Sequence, residues 1–241
     1  MIRPGERLET IARRLYDCKT MADIGTDHGF LPVFMVEEGL CARAVAADIS
    51  VPSLQKAANL CSGRSVDTVD LRAGYGLEVL KKGEVDGVVI AGMGGTLISE
   101  ILGKNIDHTL SFGKFVLQPR TATGELRRWL MENGFSIVCE DIVNEGRFMP
   151  EIITARPPGV IAPGEEDLSR EGVPVDRALY YDVPPWILKA SGPVGAHVKR
   201  IIGREKRILS GLLEANEVDA EKISNKREEI KYLEDLLELL D

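Results

Sequence analysis

Little in this sequence suits redox, metal or membrane chemistry. The four cysteines, Cys18, Cys41, Cys61 and Cys139, show no Cys-x-x-Cys spacing, which argues against a disulfide framework or a zinc site. Only three histidines occur, no two of them at metal-ligand spacing. No apolar run reaches the length of a membrane span, and the opening residues Met1, Ile2, Arg3, Pro4, Gly5 and Glu6 form no apolar signal core. A cytoplasmic protein is therefore expected. Positive charge is also short, with 30 Lys and Arg against 38 Asp and Glu for a net charge of −8. This excludes a surface coated in nucleic-acid-binding charge. It leaves room for a local basic face, because steering depends on where charges sit and not on their sum.

The 241 residues, 44% hydrophobic and 28% charged, suit one α/β domain with a smaller appendage. Residues 6–16 place Leu8, Ile11 and Leu15 on one helical face, with arginines on or near the other side. Short apolar strands then alternate with helix-like stretches. Strands are expected at 21–24, 44–47, around Val69 and Leu71, at 87–91 and at 114–117. Helices are expected at 31–38, around Leu54 to Leu60, around Leu97 to Leu102 and at 123–133, the last closed by Gly134. Residues 135–143 and 149–156 read as a terminal hairpin across the Glu145-Gly146 turn. The pattern predicts a mostly parallel seven-stranded sheet, covered on both faces, with an antiparallel edge hairpin. Residues 157–195, rich in Pro and Gly, read as a connector. Beyond it, Ile201, Ile208, Leu212 and Leu213, a polar break at 216–219, then Ile223, Ile230, Leu233, Leu237 and Leu240 predict two helices folded into an antiparallel coiled coil. The expected division is a ligand-binding α/β domain over 1–160, and a connector with helical domain over 161–241. A monomer is expected.

The chemistry concentrates in Asp23-Ile24-Gly25-Thr26-Asp27-His28-Gly29, which follows a strand and opens a helix. Glycines there let backbone approach a ligand, and the helix start offers free N–H groups. Asp48 closes the next strand, 19 residues after Gly29, where a carboxylate can accept both hydroxyl hydrogens of a ribose; Ile49 follows it. NAD and S-adenosylmethionine share that ribose. Asp27 stands where a dinucleotide motif has its middle glycine. A carboxylate repels a pyrophosphate but attracts a sulfonium or ammonium. Asp23 is placed to hold the ammonium of the amino-acid end. With the terminal hairpin, these features favour S-adenosylmethionine.

The motif 23–32, with Ile90-Ala91-Gly92-Met93-Gly94-Gly95, Leu117-Gln118-Pro119 and Tyr180-Tyr181-Asp182-Val183-Pro184-Pro185, resembles the bacterial TrmK family over nearly the whole chain. The resemblance implies a Rossmann-like class I methyltransferase acting on N1 of adenine 22 in tRNA, with S-adenosyl-L-methionine as cofactor. Three departures stand out. Gly74-Tyr75-Gly76 falls where the family usually has Gly-Asp-Gly, leaving Tyr75 to stack on or bond the adenine of the cofactor. Gly29-Phe30 replaces Ala-Tyr, and Arg120 follows Gln118-Pro119 where Asn is frequent.

Adenine N1 carries an in-plane lone pair and needs no deprotonation, so the implied task is in-line positioning and stabilisation of shifting positive charge. A carboxylate or carbonyl near the exocyclic amine would ease loss of a proton from the cationic product. Asp27, His28, Met93 and Gln118 are the catalytic candidates. Asp23, Gly25, Thr26, Asp27, His28, Gly29, Asp48, Ile49, Gly74, Tyr75, Gly76, Gly92 and Met93 are the cofactor-site candidates. Lys189, Lys199, Arg200, Arg204, Lys206 and Arg207 cluster, and with Arg3, Arg7, Arg13 and Arg14 they form a candidate phosphate-facing surface for tRNA. The Glu-rich stretch 228–238 should face away from it. Three other readings stay open at this stage: a methyltransferase for another RNA, a protein or a small molecule; an NAD-dependent oxidoreductase; and a catalytically weak scaffold binding RNA or protein through its coiled coil.

Overall fold

The computed structural model describes residues 4–215 and 219–240. Arg3 and the 216–218 part of the polar break lie outside them. The chain opens with helix α1 (Glu6–Arg13), then alternates β1 (Thr20–Ile24), α2 (Phe30–Glu37), β2 (Arg43–Asp48), α3 (Val51–Arg64) and β3 (Val69–Ala73). It continues through β4 (Gly87–Gly94), α4 (Gly95–Gly103), α5 (Ile106–Thr109), β5 (Lys114–Thr121), α6 (Thr123–Glu132), β6 (Ser136–Ile142) and β7 (Glu151–Arg156). The seven strands form one sheet in the order β3-β2-β1-β4-β5-β7-β6. β1 to β5 are parallel, and β7 runs antiparallel between β5 and β6. This is the Rossmann-like, mostly parallel sheet with a terminal hairpin expected above.

The strand sequences explain why both faces are covered. Side chains alternate across a sheet. Val88, Ile90, Phe115 and Leu117 enter one core with Ile98, Leu102 and Leu126. The alternate residues Met21, Val89 and Val116 enter a second core, with Ile11, Leu15 and Met35. Strand order reverses between β1 and β4, and such a switch point opens a crevice at the carboxyl ends of the strands.

The expected connector is more structured than its Pro and Gly content suggests. It carries helix α7 (Ala178–Asp182) and a 3-10 turn at Pro185–Lys189. Ser191 bonds backbone to backbone with Glu140 and Ile142 of β6 at 3.0 and 2.8 Å. Leu179, Val183 and Ile187 pack with Val194, Val198, Leu233 and Leu236 into a third core. Buried aliphatic side chains thus anchor a segment whose turns are set by proline and glycine.

Helices α8 (Val194–Leu213) and α9 (Ala220–Glu238) fold back on each other. Glu205 of α8 pairs with Lys226 of α9 at 2.6 Å, while Gly195 lies beside Leu237, an antiparallel arrangement. The seam runs through Val194, Val198 and Ile202 on α8 and Ile223, Ile230, Leu233 and Leu236 on α9. Ile208 and Leu213, expected in the seam, are exposed on its outer side. No helix among the described residues is long and apolar enough to cross a membrane.

Candidate active site

The 23–29 motif forms the turn from β1 into α2. The N–H groups of Gly25 and Thr26 both donate to Ala47 O, at 2.8 and 3.0 Å, which ties the turn to the end of β2. Gly25 has φ +86°, and a Cβ there would lie 2.1 Å from Met93 Cε. The Met93 side chain therefore lies across this turn. Gly29 has φ +71° and sits against Ala57 of α3, where any side chain would collide.

Asp23 is buried beneath the turn, and burial, reinforced by the nearby Asp48 carboxylate, pushes its carboxyl up to about 6. The buried Thr26 hydroxyl faces the Asp23 carboxyl, partly offsetting its rise, and bonds no other group among the described residues. Asp48 ends β2 half-buried, with one oxygen accepting from Ser50 N at 2.7 Å. Ile49 beside it is 71% exposed. Gly74 N–H donates to Asp48 O at 3.1 Å, so the 74–76 turn adjoins this strand end. Tyr75 leans towards α4, with Lys104 Nζ 4.6 Å from its ring centroid, and Gly76 packs against Ile101.

Gln118 is the point where several elements meet. It is buried, and its Oε1 accepts from Gly92 N–H at 3.2 Å and from Arg7 Nη1 at 3.3 Å. Its Nε2 donates to Pro119 O at 2.8 Å. Asp27 and His28 lie apart from it. Asp27 bonds Lys56, Ser53 and His28 at 3.1, 3.2 and 2.8 Å. Lys56 first, and His28 after it, hold this carboxyl below its usual range. His28 stacks on Phe30, ring centroids 5.3 Å apart. Neither Asp27 nor His28 lines the large cleft described next.

That cleft, of about 1130 Å³, runs from Gly92, Gln118 and Pro119 up between the β6–β7 turn and helices α6, α7 and α8. Seven arginines and five carboxylates line it, so the local balance is basic in an acidic protein. Arg7, Arg200, Arg204 and Arg207 among the expected basic residues come together here. Arg120, noted in the sequence only as a departure from the family pattern, joins them with Arg128 and Arg177, which the sequence did not single out. Arg120, Arg200 and Arg207 form no ion pair among the described residues. The Glu-rich stretch does reach this wall, since Glu228 pairs with Arg177 at 3.1 Å.

The other expected basic residues lie elsewhere. Arg14 makes a two-pronged bond to Asp141 at 2.6 and 2.7 Å. Arg13 bonds Thr10, Lys189 pairs with Glu166 and Lys206 with Glu234. Lys199 is exposed on α8 away from the cleft lining.

Two buried residues behind the cleft escaped the sequence reading. Arg127 is fully buried in α6. Its guanidinium holds Glu140 at 2.6 and 3.0 Å, Glu151 at 2.5 Å, and the carbonyls of Tyr181 and Asp182 at 3.1 and 2.9 Å. It thereby fastens α6, β6, β7 and α7 together. His197 of α8 is buried on the cleft wall, 3.7 Å from Glu151, and neither ring nitrogen has a hydrogen-bond partner among the described residues. Burial lowers its tendency to take a proton. An isolated Arg or His on a helix gives no sequence signal of burial.

Residues 5–153 match the family model described as a methyltransferase domain. The chain is 30% identical to the Bacillus subtilis tRNA (adenine(22)-N(1))-methyltransferase, covering 98% of this chain and 94% of that protein. The structure of the B. subtilis M1A22 tRNA methyltransferase TrmK superposes with a TM-score of 0.79 at 28% identity, covering both chains completely at 100%. A Streptococcus pneumoniae protein solved in complex with S-adenosyl-L-methionine superposes with a TM-score of 0.75 at 25% identity, over 98% of this chain and 100% of that one. The match runs from the glycine turn through the arginine-lined cleft to the helical pair, and the chain belongs to the TrmK family of methyltransferases.

Proposed function

We propose that this protein transfers a methyl group from S-adenosyl-L-methionine to N1 of adenosine 22 in tRNA, the reaction named for its B. subtilis relative. The observation that carries the reading is the basic cleft, whose floor at Gly92 and Gln118 adjoins the glycine turn of β1. A methyl donor at the turn and a polyanion in the cleft would meet at the ends of β4 and β5.

The residues of the turn fit this cofactor. Asp23, a buried carboxylate, and the buried Thr26 hydroxyl beside it offer acceptors to the ammonium of its amino-acid end. Asp48 has a second oxygen free to accept from ribose hydroxyls. Gly25 and Gly29 take the left-handed backbone that lets the turn close tightly against Met93 and Ala57. The bound cofactor supplies an electrophilic methyl on a sulfonium.

The protein's own work is placement. The arginines of α8 and of the opposite wall bind phosphates and hold the tRNA against the cleft. Gln118, fixed by Gly92 and Arg7, places a polar amide where the acceptor base arrives, and such preorganised dipoles stabilise charge as it shifts onto the base. Adenine N1 is masked in a duplex, so the base leaves its stack to react. Asp27 and His28 act at the edge of the cofactor turn. A tRNA-modifying enzyme of this kind works in the cytoplasm.

The test is methyl transfer from labelled S-adenosylmethionine to unmodified tRNA bearing adenosine at position 22, with the product position read by nuclease digestion and mass spectrometry. Label on N1 of that adenosine, lost when it is changed to guanosine, is the expected result. Transfer that persists after the change would overturn the assignment.

A further inference from the structure

We infer that Phe148 is the platform on which the target adenine stacks during methyl transfer, an inference that rests on the proposed tRNA adenine methylation. Phe148 lines the cleft and is 56% exposed, on the turn between β6 and β7. The turn is closed at both ends, with Glu145 N–H donating to Phe148 O at 2.9 Å and Phe148 N–H to Glu145 O at 3.2 Å. Arg147 places its guanidinium 5.0 Å from the ring centroid.

The turn is held to the methyl-donor end of the cleft by consecutive side-chain bonds. Arg7 Nε pairs with Glu145 Oε1 at 3.2 Å, and Arg7 Nη1 donates to Gln118 Oε1 at 3.3 Å. Gln118 in turn accepts from Gly92 N–H at 3.2 Å. The turn that carries this exposed ring is thus tied to the strand ends where the methyl would pass. Tyr181, the other large aromatic of the cleft, is half-buried on α7 with Arg128 lying 5.5 Å from its ring centroid.

A base drawn from its helix loses stacking on both faces, and an aromatic side chain restores part of it. Stacking is indifferent to base identity, so Phe148 would position the adenine while groups at its edge select it. The contact forms only once the base has left the tRNA stack. It should therefore act on kcat and leave the arginine-driven affinity for tRNA almost unchanged.

The experiment measures kcat, KM and tRNA Kd for wild type, Phe148→Tyr, Phe148→Leu and Phe148→Ala with position-mapped tRNA methylation. Removing one stacking partner should lower kcat/KM by about tenfold to a hundredfold in the Ala and Leu variants, mostly through kcat. The Tyr variant should stay within about threefold of wild type, since it keeps the aromatic face. Because the side chain is largely exposed, all variants should keep wild-type circular dichroism and cofactor affinity. Wild-type transfer with Leu or Ala variants matching it would overturn the platform alone. Failure of the wild type to methylate tRNA would overturn the function and the platform with it.

Discussion

The two halves of this site are built in opposite ways. The turn proposed to hold the cofactor is local: Asp23 on β1 and Asp48 on β2 lie on neighbouring strands, and Gly25 and Thr26 are stitched to Ala47. The cleft is assembled from distant segments, with arginines from α1, the end of β5, α6, the connector and α8. A turn defined by backbone geometry survives on a few glycines. A cleft assembled from separate pieces depends on whatever holds those pieces in register: here Arg127 with its carboxylates joins α6, β6, β7 and α7, and the third apolar core holds α8.

The largest expected effect therefore falls on the assembly. Arg127→Met removes one partner from a buried ion pair and strands Glu140, so it should cost about 3–5 kcal/mol of unfolding free energy in a denaturant titration. A loss near a typical surface value would contradict a supporting role for the Arg127 pairs. Next in size is the cofactor side. Asp23→Asn keeps the shape and removes the charge, and should weaken cofactor binding about tenfold to a hundredfold by calorimetry. Unchanged affinity would remove Asp23 from the site.

pH sharpens the same contrast. The Asp23 carboxyl, raised by burial to about 6, is ionised at neutral pH and takes a proton as pH falls through that value. Binding of a cationic ligand should then be strongest above it and fall about tenfold between about pH 7.5 and about pH 5, a slope that Asp23→Asn abolishes. On the cleft side, Arg200→Ala with Arg207→Ala should lower the salt dependence of tRNA binding by roughly one unit of slope per lost phosphate contact. Smallest of all, Lys189→Ala, whose ammonium is already paired with Glu166 outside the cleft, should leave tRNA affinity within about twofold.

The same contrast explains what could be read from the sequence. The sheet was legible because parallel strands buried on both faces are runs of Val, Ile and Ala, as in Gly87–Gly94. The glycine turn was legible because only glycine tolerates the backbone at Gly25 and Gly29. The cleft was legible only in part. Arg200, Arg204 and Arg207 recur on one helical face and stand out, whereas Arg120, Arg128 and Arg177 sit far apart and join them only through the fold. Arg14 reads as one more basic residue until Asp141 is found against it. Asp27, conspicuous in the motif, turns outward to Lys56 and Ser53, a pairing no spacing rule reports. In the coiled coil the helical period was clear but its rotation was not, so Ile208 and Leu213 face out while Ile202 fills the seam.

On the proposed reading, one end of the site binds the methyl donor and the other binds tRNA. The most direct test titrates both ligands against Asp23→Asn and against the Arg200→Ala, Arg207→Ala double variant. Loss of cofactor affinity with retained tRNA affinity in the first, and the reverse in the second, is the predicted result. Equal loss of both ligands in either variant would contradict the division and return the cleft to a purely structural role.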